Sequence, residues 1–190
     1  LRWCNQDDPY GWASNSALNI RNITGITNLY DALVVFERSR LHLISGDFTH
    51  AFRTRVRTIE GKGCVAPRSV ARIRDSVVFL AEDGVYSFSG DALKPVSEDL
   101  EDLFTPRTEV GVGPIGYLLN AGDPTRYGMA FGVDVPGHET YYLTLPGDDP
   151  TETEVWLAYH YPSDSWSIQR RGFAVVAGAI VPASRSVLAV

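Results

Sequence analysis

The side chains able to do chemistry are few and scattered. His42, His50, His138 and His160 stand in no HxH, HExxH or HxxE arrangement, whereas a metal ion needs several such ligands at a fixed spacing. Alternation places His42 and His160 within strands rather than beside a carboxylate cluster. Cys4 and Cys64 are the only cysteines. They form no CxxC pair and are too few for a disulfide framework, so two reduced, packed thiols are expected. No Gly-x-Ser-x-Gly string raises a serine on a strand-to-helix turn, and the glycines at 111 and 113 lack the helix and lysine of a phosphate loop. The acids at Asp7–Asp8, Asp148–Asp149 and Glu98 to Asp102 read as solvated loops and an exposed helix turn, not as a glycosidase pair. The expectation is a protein that is not an enzyme and needs no cofactor or metal.

Charge is the stronger signal. From Glu37 to Arg74 nine basic residues face three acids, a local excess of +6 in a chain whose net charge is −6. Arg53, Arg55 and Arg57 alternate along one predicted strand, so they share a face that could line a groove or channel meeting phosphate. Arg68, Arg72 and Arg74 extend the same basic segment. The competing reading is an exposed edge strand guarded by charge against aggregation. A pI near 5.2 argues against a tight, sequence-reading nucleic-acid binder. A surface that guides passing DNA without gripping it remains compatible.

The elements that must position these residues are strands. Short runs of Val, Ile, Leu, Phe and Tyr bounded by Gly, Asp, Ser and Pro recur along all 190 residues. They predict strands at Ile23–Thr27, Leu33–Glu37, Leu41–Ile44, Phe52–Thr58, Ser69–Ile73, Val77–Ala81, Val85–Ser89, Met129–Val133, Thr140–Leu145, Val155–Tyr161, Trp166–Gln169, Phe173–Ile180 and Ser186–Val190. One helix is expected, Ser97–Phe104, capped by the Ser97 hydroxyl and closed by Pro106. The longest apolar stretch, Phe173–Pro182, is far short of the roughly 20 residues that cross a bilayer.

An internal repeat sets the architecture. The segment from Asp31 to Ser-Gly-Asp47 returns as Asp75 to Ser-Gly-Asp91, a period of 44. Ile26 aligns with Val70 and Leu29 with Ile73. Self-similarity at this period with only β signals points to propeller blades, because one twisted four-stranded sheet cannot bury both faces alone. Residues 1–22 read as a lead-in loop. Residues 23–190 read as about four blades of roughly 45 residues, the last incomplete, so the chain is expected to be part of a longer one. The fold class is therefore all-β, repeated four-stranded blades forming a partial propeller. The alternative is a β-sandwich-like subdomain.

These same residues resemble the β-propeller proteins of bacteriophage tails. The likeness runs through Ile23-Thr-Gly-Ile26, Asp31 to Gly46, Arg68-Ser-Val70 and Val77 to Gly90, with Pro95-Val-Ser97 following the hairpin and Trp3 to Trp12 preceding it. It covers residues 1–105 and, more loosely, 127–170. The family is that of the tail nozzle, or tail tubular, proteins of short-tailed phages and the related packaged-DNA stabilisation hub. The resemblance implies a structural virion protein, assembled in the host cytoplasm as a homo-oligomeric ring. Its implied partners are the portal, the adaptor and other tail proteins, and its channel would touch genomic DNA transiently and without sequence preference. A competing function is a carbohydrate- or receptor-binding propeller, in which Trp3, Trp12, Trp156 and Trp166 would stack on sugar faces. Ser163-Asp164-Ser165-Trp166 lacks the glycine of a sialidase Asp-box, and a plain turn with Trp166 packed beneath it is expected.

Overall fold

A computed structural model describes residues 10, 18–47, 53–100, 104, 129–145, 155–170, 178–181 and 186–189. Among them three four-stranded antiparallel sheets follow one another in chain order, each a meander in which sequence neighbours pair. Sheet 1 holds β1 (Gly25–Leu29), β2 (Ala32–Phe36), β3 (Arg40–Asp47) and β4 (Arg53–Glu60). Sheet 2 holds β5 (Ala71–Ile73), β6 (Ser76–Ala81), β7 (Gly84–Phe88) and β8 (Leu93–Pro95). Sheet 3 holds β9 (Phe131–Val135), β10 (Thr140–Leu145), β11 (Val155–His160) and β12 (Ser165–Arg170). A hairpin of β13 (Gly178–Val181) and β14 (Ser186–Ala189) follows. The protein is all-β.

The middle sheet is packed on both faces. On β6, Val77, Phe79 and Ala81 enter a cluster with Leu29, Val34, Phe36 and Leu41 of sheet 1. The alternate residues Val78 and Leu80 join Tyr141, Leu143, Leu145 and Leu157 of sheet 3. This is why Val77-Val-Phe-Leu-Ala81 reads as an unbroken apolar run rather than an alternating one. Phe36 and Phe79 anchor the first cluster, ring centroids 4.8 Å apart at 53°, and each such side chain contributes about 1.5–3 kcal/mol on burial.

The 44-residue period reappears as backbone geometry. The β1–β2 and β5–β6 hairpins each turn on a left-handed residue, Tyr30 (φ 51°) and Arg74 (φ 49°), the conformation that tight hairpins need to match strand twist. Between sheets 1 and 2 the chain is stitched to both: the Cys64 N–H donates to the Glu37 carbonyl, and the Val65 N–H to that of Leu80. Ser69 closes the stitch, its hydroxyl donating to Ala66 O and accepting from the Leu80 N–H.

Three expectations change. The Ser97 hydroxyl does not cap a helix but accepts from the Val85 N–H at 2.9 Å. A 3-10 turn, Glu98–Leu100, follows it; residues 101–103 lie outside the described residues, and Phe104 is helical and buried. Ser69 belongs to a 3-10 turn led by Pro67, so β5 begins only at Ala71. A short strand, Leu93–Pro95, completes sheet 2 by pairing with β7, where no strand is expected from so brief an apolar run.

Candidate functional site

The polar side chains gather at the seams between sheets rather than in one pocket. From sheet 1 to sheet 2 the Tyr30 hydroxyl donates to the Asp75 carbonyl at 3.1 Å. Arg38 pairs with Glu82 at 2.6 Å. Arg57 donates to the Asp91 carboxylate and to the carbonyls of Gly90 and Asp91 at 3.0–3.2 Å. Lys62, after β4, pairs with Asp83 and stands 5.2 Å from the Tyr86 ring, and that bond to Asp83 holds its ammonium above the ordinary range.

From sheet 2 to sheet 3 the same logic recurs. Arg74 pairs with Glu139 at 2.7 Å and lies 4.8 Å from the Tyr161 ring centroid. Lys94 pairs with Asp164 at 3.0 Å. The buried Tyr141 hydroxyl donates to the Ser69 carbonyl at 2.6 Å. Asp164 also accepts from Tyr159 at 2.6 Å; that bond, with Lys94, keeps its carboxyl below the usual value.

The proposed basic channel residues are thus distributed over several places. Arg55 and Arg57 do share a face of β4, opposite Ser45 and Leu43, and both are exposed. That face is the one whose Leu43 and Ile59 pack toward sheet 2. Arg53 opens the same strand in register with Asp47. Arg68 is exposed in the Pro67 turn, Arg72 is exposed on β5, and Arg74 sits at a hairpin tip on another seam. No known family model matches the chain, and no curated protein is detectably similar to it.

The aromatic candidates serve packing where they are described. Trp166 stacks on Tyr159, centroids 4.9 Å apart, and donates its indole N–H to the Val96 carbonyl at 2.6 Å. Trp156 is 6% exposed and meets Tyr142 edge-on at 6.1 Å. Trp3 and Trp12 lie outside the described residues.

One constellation escapes the sequence reading. His42 on β3 does meet a carboxylate: its Nε2 is 3.1 Å from Glu37 Oε1, and its Nδ1 is 2.9 Å from the Thr58 hydroxyl. Arg40 holds the second Glu37 oxygen at 2.7 Å. The signal was available in the two-residue turn after Glu37, which folds β3 back so that His42 returns to Glu37's side of the sheet. In a neutral ring the carboxylate fixes hydrogen on Nε2, and Nδ1 accepts from Thr58. Hydroxyl, imidazole and carboxylate stand in the order of a nucleophile relay. Arg40 closes the far end, however, and the whole chain of bonds spans neighbouring strands of one sheet, which makes it a cross-strand tie.

Cys64 is fully buried with its thiol donating to the Ala66 carbonyl at 3.1 Å, and burial pushes it up to about 11. Such a thiol is inert. Among the described residues no three His, Cys, Asp or Glu side chains converge as a metal site.

Proposed function

We propose that this chain is a structural module of a phage tail: a run of β-propeller blades from a nozzle, tail-tube or head–tail hub protein. In that role it helps build an oligomeric ring that retains the packaged genome and forms its exit channel. One observation carries the reading. The side chain at the left-handed hairpin position of each sheet reaches the corresponding turn of the next, Tyr30 to Asp75 and then Arg74 to Glu139, and the sheets so linked pack face to face. A contact rule that repeats from one seam to the next is what radial stacking of blades requires. The resemblance to tail propellers supplies the biological setting. In it, exposed arginines such as Arg55 meet DNA weakly, with the steep salt dependence of phosphate contacts.

The test is electron microscopy of the full-length protein, alone and mixed with portal and adaptor rings. Rings or tapering tubes with an open axial channel are expected. Particles without axial symmetry that ignore the portal would overturn the proposal.

A further inference from the structure

At the seam between sheets 2 and 3 one guanidinium is paired with one carboxylate and lies within electrostatic reach of a second. Asp134 on β9 is in register with Tyr141, which places it on the face turned toward sheet 2. Its Oδ1 is buried with no hydrogen-bond partner. The Tyr161 hydroxyl lies near enough to pull the value of the carboxyl down. The Tyr161 ring in turn carries the Arg74 guanidinium at 4.8 Å, and the Tyr161 backbone N–H donates to the Glu139 carbonyl. Arg74 gives its Nη2–H to Glu139, an exposed pair in which both side chains are more than half in water; such pairs are weak and readily exchanged.

We infer that Asp134, Arg74 and Glu139 form a proton-operated latch between the second and third sheets. With Asp134 protonated, Arg74 rests on Glu139. When the Asp134 acid gives its proton to water, its carboxylate leaves a buried oxygen unsatisfied, and the guanidinium is drawn from Glu139 toward it.

The surroundings favour this assignment. The other charged or titratable groups on the elements packed against β9 are few. Arg72 on β5 is in register with Val77 and so turned to the opposite face. Arg68 is exposed on the Pro67 turn, Tyr141 is committed to Ser69 O, and β13, Gly-Ala-Ile-Val, has no titratable side chain. Burial pushes the Asp134 carboxyl up to about 6, against the pull of Arg74 and the Tyr161 hydroxyl. Because this lies above its ordinary value, the group's stabilising contribution is complete in acid, below that ordinary value, and is lost as pH rises through about 6. The seam is therefore tighter at mildly acidic pH.

Carbon-detected NMR titration of the whole chain tests this. Asp134 is expected to titrate near 6, with the Tyr161 ring and Arg74 side-chain signals moving on the same midpoint. Glu139→Gln frees the guanidinium and should lower the Asp134 midpoint by about half a unit or more, while Arg74→Gln should raise it. Asp134→Asn should abolish the shared transition at Tyr161 and Arg74. An Asp134 midpoint near the usual 4, or one that Glu139→Gln leaves unmoved, would overturn the latch. Glu139 is on the surface, so that variant reports even if Asp134→Asn folds poorly.

Discussion

Cys64 and Glu37 are both buried, and burial acts on them with different outcomes. Nothing opposes it strongly at Cys64, whose thiol is raised to about 11. In native protein Cys64 should therefore stay unmodified by a disulfide reagent at pH 8 for as long as the fold holds, and it should react at once in denaturant. Rapid native labelling at that position would refute the burial. At Glu37 burial alone would raise the carboxyl, but hydrogen bonds from Arg40 and His42 outweigh it and the value falls below the ordinary one. Its stabilising contribution is thus present above the ordinary carboxylate range and is lost as pH falls through the lowered value. Urea midpoints of the wild type should drop more steeply than those of Glu37→Gln between about pH 5 and 3; parallel curves would show that the tie contributes nothing. His42→Ala, which strips Glu37 of a partner on a buried oxygen, should cost about 1–3 kcal/mol.

At the scale of elements, two glycines separate steric from conformational demand. A Cβ on Gly63 would stand 2.1 Å from the Glu37 carbonyl and 2.6 Å from the Arg40 nitrogen, both backbone. Gly63→Ala must therefore spread sheet 1 from the connector, and a loss above about 2 kcal/mol is expected in denaturant melts. Gly90 has room but sits at φ +101°, so Gly90→Ala should cost only about 1 kcal/mol. Gly46, its partner in the repeat, is the instructive contrast: the sequence suggests the same turn, yet β3 runs on through Gly46 and pairs it with Thr54. Most strands were legible because apolar runs bounded by turn residues are the local mark of a strand, and Thr140–Leu145 matches to the residue. Short β8 was not legible, since three residues carry no periodicity. The Glu37–His42–Thr58 tie was legible only in part: the two-residue turn puts His42 on Glu37's side, but the β3–β4 register that brings in Thr58 cannot be read from sequence spacing.

Across the whole molecule, position in the stack should order the dynamics. Amides of β6, covered on both faces, should exchange hydrogen most slowly, while those of edge strand β4 exchange faster; equal protection would mean the sheets open as one unit. The basic segment reads differently at this scale too. Among the described residues Arg38, Arg40, Arg57, Lys62 and Arg74 of this segment are paired with carboxylates, so much of its charge in sequence is spent on cohesion. Arg38 and Glu82 occupy the same place in successive repeats, 44 residues apart. A freshly duplicated gene segment would set two identical charges against each other across that seam, and the newborn neighbours would repel. The opposite signs found at these equivalent positions turn that weak repulsion into a weak attraction, so in this seam the difference between the repeats is itself a contact.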